Sequence, residues 1–169
     1  DNIRDETIYR SLDIDNGDTL HLAWKKSTSN IMYMRKPCKG NWTIPVIIND
    51  TMEDAEYEFL AVNKITGQPN IAYIAYNSSF DSSEVILARD SSGIWVRQQI
   101  TFSATTKYSP AIAVDNNGYL HLAWIDKDLS ANYKIFYATN LSGNWDVQTL
   151  TGSNLGDYGS GATPFIAVD

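Results

Sequence analysis

Cysteine is almost missing: Cys38 is alone among 169 residues, which excludes an internal disulfide framework and leaves no cysteine set for a structural metal. Basic residues are also scarce. Thirteen Lys and Arg face twenty Asp and Glu, and a net charge of -7 repels phosphate backbones, so no nucleic-acid partner is expected. No stretch approaches the roughly 18 to 20 apolar residues needed to cross a bilayer. Asp1 to Arg10 lacks the basic start and apolar run of a signal peptide, and membrane insertion is not expected. A helical apolar period with caps is absent as well. What remains is 43% hydrophobic and 12% aromatic, the composition of a globular domain held by packing.

A repeat organises it. Ser11-Leu-Asp-Ile-Asp15 is answered by Phe59-Leu-Ala-Val-Asn63, Ala111-Ile-Ala-Val-Asp115 and Phe165-Ile-Ala-Val-Asp169, at intervals of about fifty residues. A second strand follows the first three: Leu20 to Trp24, Asn70 to Tyr73 and Leu120 to Trp124. Third strands read Ile31 to Arg35, Val85 to Arg89 and Ile135 to Thr139, each leading through a glycine turn to Trp42, Trp95 or Trp145. Fourth strands are expected over Thr43–Ile48, Val96–Ile100 and Asp146–Leu150. Asn16-Gly17 suggests a two-residue hairpin with positive backbone angles, and Asp115 to Gly118 a longer version. Four-stranded antiparallel units at this period, buried on both faces, are blades of a β-propeller. A β-sandwich would explain the strands but not their recurrence.

The expected blades span about 8–50, 57–102 and 109–152, with the first strand of a fourth at 163–169. Three blades cannot close a ring. The chain is therefore expected to be part of a longer chain that completes the ring, or to assemble as a homo-oligomer, for instance two half-rings.

The hairpin "Ala-Val-Asp-x-x-Gly", the strand "Leu-His-Leu-Ala-Trp" and the turn "Ser-Gly-x-Trp" together resemble sialidase-like propeller repeats, also called BNR or Asp-box repeats. The boxes are degenerate: Ser91-Ser-Gly-Ile-Trp95 and Leu141-Ser-Gly-Asn-Trp145 lack the aspartate, and Pro37 to Trp42 keeps only Gly and Trp. The resemblance implies a secreted or surface protein and, for an enzyme, an arginine cluster, a Tyr and Glu pair and an acid aspartate. Arg35 and Arg89 hold matching ends of third strands, so they are periodic rather than convergent. No catalytic residue is assigned.

His21 and His121 are equivalent positions in different blades, which points to hydrogen bonding within each blade rather than to a shared metal or acid–base site. Asp13 to Asp18 looks like the start of a calcium loop, but Trp24 stands where a bidentate glutamate belongs, so a hairpin is expected and no metal. No Gly-rich phosphate cradle and no nucleophile turn is present, and no cofactor is expected. The periodic tryptophans fit blade-to-blade packing better than sugar stacking.

Binding is expected where the repeats differ. The links from second to third strand and from one blade to the next are long, on one face: 25–30, 49–58, 77–84, 101–109, 125–132 and 151–163. They carry acidic groups, among them Glu53, Asp54, Glu56, Asp81, Glu84 and Asp157. The candidate ligand-binding residues are Tyr57, Tyr108, Asp126, Asp128 and Tyr158, for a glycan or a protein partner. Asn41, Asn49, Asn77 and Asn140 open Asn-x-Ser/Thr sequences, in keeping with an extracellular or cell-surface home. The reading is a non-catalytic recognition module. The alternatives are a fragment of a glycosidase or lyase whose site needs further blades, and a structural scaffold.

Overall fold

The structure, a computed structural model, describes residues 10–26, 29–50, 54–77, 82–128, 130, 132–151 and 163–169. Alternating apolar residues rich in Val, Ile and Tyr fold them into β-strands only, with no helix among the described residues. The first sheet holds β1 (Arg10–Ile14), β2 (Leu20–Lys26), β3 (Asn30–Lys36) and β4 (Val46–Ile47). The second holds β5 (Asp54–Val62), β6 (Pro69–Asn77), β7 (Ser82–Ser91) and β8 (Ile94–Gln99). The third holds β9 (Thr106–Val114), β10 (Leu120–Lys127), β11 (Tyr133–Thr139) and β12 (Asp146–Thr149). Every sheet is antiparallel in sequence order, and the ring they begin is open: a β-propeller segment.

Two apolar layers join the sheets. Ala23, Ile31, Tyr33 and Ile48 of the first sheet meet Leu60, Val62, Ile71 and Tyr73 of the second. On its other face the second sheet presents Ala72, Ile74, Val85 and Leu87 to Ile112, Leu122 and Trp124. The tryptophans serve this packing: Trp95 lies edge-on to Tyr33 with centroids 4.9 Å apart, and Trp124 stacks on Phe136 at 5.7 Å. Where no sheet lies against that face, the same positions are bare. Leu12 is 61% exposed, whereas its counterparts Leu60 and Ile112 are at 7% and 8%. Ile14 and Trp42 are exposed beside it.

Two expectations need correction. The fourth strand of the first sheet is shorter than Thr43–Ile48, because Pro45 has no N–H to give the ladder; only Val46 and Ile47 pair regularly, although Thr43 and Ile48 still bond to Arg35 and Ile31. The Asn16-Gly17 hairpin is not a two-residue turn of positive angles. Asp15 Oδ1 accepts the N–H groups of Gly17 and Thr19, and the left-handed residue is Asp18, φ 58°. Residues 163–169, the extra segment expected to open a fourth blade, meet the third sheet where Asn116 N–H donates to the Asp169 carbonyl, 3.2 Å.

That last bond has a counterpart. Asn16 N–H donates to the carbonyl of Lys64 at 3.0 Å, so the first hairpin of one sheet docks on the first hairpin of the next. Asp15 also reaches within 2.8 Å of where a Cβ would stand on Gly67, and Asn63 within 2.8 Å of the same point on Gly118. Both glycines have positive φ, 70° and 86°, so only glycine suits the contact on two counts.

Candidate functional site

A cleft of about 450 Å³ opens between the second and third sheets, at the end of the strands where the long links lie. One wall is the start of β5 and end of β6: Asp54, Glu56, Tyr57 and Tyr76. The other is the start of β9 and end of β10: Thr106, Lys107, Tyr108 and Lys127.

The wall residues are aimed by a repeated irregularity. In β5 the register jumps between Glu56 and Phe59, and in β9 between Tyr108 and Ala111, so Tyr57-Glu58 and Ser109-Pro110 each oppose one residue, Tyr73 or Trp124. Tyr57 and Ser109 sit in the left-handed region at φ 56° and 47°. A bulge of this kind turns a side chain out of the sheet's alternation. Tyr57 and Tyr108 were expected on loops; both lie instead within first strands, β5 and β9, and the structure brings them into one cleft. Tyr108 leans on Tyr133 with centroids 6.2 Å apart, and Lys127 Nζ stands 5.6 Å over the Tyr133 ring.

Charge is balanced across the opening. Asp54 accepts the Ser29 hydroxyl at 2.5 Å, and Glu56 pairs with Lys25 Nζ at 3.0 Å. Lys127 answers on the far wall, while the Lys107 ammonium is buried within it. Such a mixture of aromatic faces, carboxylates and cations can accept and donate to hydroxyl groups while stacking on an apolar ring face.

Asp126 and Asp128 do not line this cleft. Asp126 ends β10 opposite Lys107; burial pushes its carboxyl up, against the pull of Thr105 and Lys107. Asp128 caps its own loop, accepting N–H groups of Asn132 and Ser130 at 2.9 Å each, which hold its carboxyl below the usual range. Tyr158, with Glu53, Asp81 and Asp157, lies outside the described residues.

Behind the wall is a group the sequence did not single out. Glu58, 1% exposed, turns toward the first sheet; its Oε1 accepts Lys25 N–H at 2.9 Å and its Oε2 has no partner. Burial pushes this carboxyl up to about 7.

The histidines form chains within their own sheets. Tyr33 O–H lies 2.7 Å from His21 Nδ1, and His21 Nε2 lies 3.4 Å from Asp15 Oδ2. These partners fit a neutral ring protonated on Nε2, and burial holds the imidazole below its usual range although Asp15 pulls the other way. Tyr137, His121 and Asp115 repeat the arrangement at 2.6 and 3.6 Å, the second beyond hydrogen-bond reach. In the second sheet the pair changes together, to Leu87 and Asn70. Asp13 is likewise occupied, by Val62 N–H at 2.8 Å and Lys64. Among the described residues, no three His, Cys, Asp or Glu side chains gather as a metal site.

No protein-family model matches the chain, and no curated protein matches it in sequence. Solved structures do. A Hadza microbial sialidase superposes with TM-score 0.62 at 13% identity, covering 82% of this chain and 36% of its own. An alpha-L-arabinanase of Penicillium chrysogenum, complexed with arabinobiose, gives 0.64 at 15%, covering 88% and 50%. A fucose lectin of Kordia zhangzhouensis, complexed with methyl-fucoside, gives 0.53 at 16%, covering 83% and 97%. The chain thus spans from about a third to a half of the sialidase and arabinanase, and nearly all of the lectin chain. At these identities the likeness shows the propeller fold.

Proposed function

We propose that the chain is a non-catalytic recognition module of a secreted or surface propeller protein, and that it takes a glycan in the cleft between its second and third sheets. The observation that carries this is the convergence of Tyr57 and Tyr108 on one opening that also holds Glu56 and Lys127. Tyrosine faces give sugar rings an apolar platform, and the carboxylate and ammonium groups bond hydroxyls. Asp126 and Asp128 shape the wall one step back. Similarity to a lectin solved with methyl-fucoside and an arabinanase solved with arabinobiose supports a saccharide rather than a protein as ligand.

The exposed face of the first sheet, Leu12, Ile14 and Ile47, is covered in the working protein by another blade, either from a longer chain or from a second copy. Light scattering of the purified chain tests assembly: a dimer that Leu12→Asp dissociates supports the second copy, and a monomer supports the longer chain.

A glycan array tests the binding. Retention of at least one saccharide, weakened about tenfold by Tyr108→Ala, is the expected result. No retention by the wild-type chain in its assembled state overturns the lectin reading and leaves a scaffold. A second reading, a fragment of a glycosidase, is favoured by the sialidase and arabinanase neighbours, of which this chain is only a part. Hydrolysis of fluorogenic glycosides, lost in Glu56→Gln, would establish it.

A further inference from the structure

Lys107 is a cation placed where a charge is costly. Its side chain is fully buried, and the residue at the same register of the second sheet is Ala55. Every neighbour of the ammonium is an oxygen. Nζ donates to the Ser103 carbonyl at 2.9 Å, the Ser103 hydroxyl at 2.7 Å and the Thr105 carbonyl at 2.8 Å, which uses all three of its hydrogens. Glu84 Oε2 stands 3.4 Å away and supplies the countercharge. The same carboxylate accepts the Thr101 hydroxyl and the Ser103 N–H.

The backbone of Lys107 does not depend on this cage. Its N–H donates to Ser83 Oγ at 2.6 Å, and its carbonyl accepts from that hydroxyl at 2.9 Å. The ammonium therefore serves the residues before β9, gathering the Ser103 and Thr105 carbonyls, the second of which also accepts Ser83 N–H at 3.4 Å. Its distances suit charge-assisted N–H···O bonds. They are longer than the roughly 2.3–2.6 Å of calcium or the roughly 2.0–2.1 Å of magnesium, so the cage is sized for an ammonium or a large monovalent ion.

We propose that Ser103, Thr105 and Glu84 form a monovalent-cation site that the chain fills with its own Lys107, and that this tethered cation positions the 101–107 wall of the cleft. Lys107 is a positioning residue, not a sugar contact. The second half rests on the glycan reading above; the first half does not.

The test is chemical rescue. Lys107→Ala empties the cage, and thermal unfolding is followed in methylammonium chloride against tetramethylammonium chloride at equal ionic strength. The expected result is a Tm about 10 °C below wild type, of which methylammonium at tenfold its dissociation constant restores about 4 °C. Tetramethylammonium cannot donate and restores nothing. Lys107→Met keeps the slot filled with an apolar chain and is not rescued by either salt. Equal effects of the two salts on Lys107→Ala, or a variant as stable as wild type, overturn the proposal. If that variant does not fold, the wild-type chain decides through the nitrogen–proton NMR signals of its lysines. One ammonium protected from solvent exchange at neutral pH supports the cage, and none overturns it. A saccharide retained by wild type should bind Lys107→Ala more weakly and recover with methylammonium. Recovery of Tm without recovery of binding overturns the positioning role alone, and the Tm readings stand even if no saccharide is found.

Discussion

Replacing Glu58 by glutamine should remove one source of pH-dependent stability. The wild-type carboxyl is pushed up to about 7 in the folded chain, from 4.5 in the open chain. Between those values the folded protein keeps a proton that the unfolded chain has lost. Stability from this group is therefore full below about pH 4.5, declines as pH rises and is gone above about pH 7. Two and a half pH units at about 1.36 kcal/mol each correspond to about 3 kcal/mol, a large part of the roughly 5–15 kcal/mol that keeps a domain folded. The substituted glutamine keeps an oxygen for the Lys25 N–H but puts an amide NH2 where Oε2 has no partner, a fixed penalty of about 1–3 kcal/mol at any pH. Urea unfolding of both chains at pH 5 and pH 8 gives the answer by difference. Wild type should be the more stable at pH 5, and by pH 8 the gap should have shifted against it by about 2.5 kcal/mol. His21 acts in the opposite sense, since its lowered pKa makes stability rise with pH toward 6.5, but it is common to both chains and cancels. A gap of the same size at both pH values would refute the argument.

Two glycines with the same backbone demand should differ in cost. Gly93 at φ 89° has open space around it and Gly118 at φ 86° has Asn63 Nδ2 in the way, so Gly93→Ala should lose about 1 kcal/mol in urea unfolding and Gly118→Ala distinctly more. Tyr33→Phe strips the donor from His21 Nδ1 and should cost about 1–3 kcal/mol by the same measurement. Combining His21→Asn with Tyr33→Leu, the pair that the second sheet uses, should cost less than the two single changes summed, with a coupling of about 1 kcal/mol; strict additivity would deny that the pair acts as a unit.

The blades were legible because the repeat writes each strand three times, and apolar alternation then fixes which face is buried. Leu12, Leu60 and Ile112 look alike in sequence, yet their exposures differ because burial depends on whether another sheet lies against that face. The cleft was half legible. Tyr57 and Tyr108 stood out as aromatics outside the repeat motif, but their segments were read as loops because β5 and β9 begin before the similarity does. One overlooked signal marked a bulge: Pro110, inside an apolar strand, cannot donate to a ladder and is tolerated at such irregularities. Lys107 and Glu58 gave no signal, because a charged residue reads as solvated until the atoms meeting it are known. Asp128 also caps its own turn, a role that its sequence context does not disclose because a capping aspartate has the composition of a ligand-binding loop.

The docking of one hairpin on the next makes the repeats directional and paired. A loop tip ending in Asp15 requires a bare α-carbon at Gly67, and the tip ending in Asn63 requires one at Gly118. Modules that look like interchangeable tiles are therefore keyed at one position. The second and third sheets each bring a receiving glycine and can follow any tip, but the first carries Asp18 there, so placing it after another sheet would push a side chain into the junction.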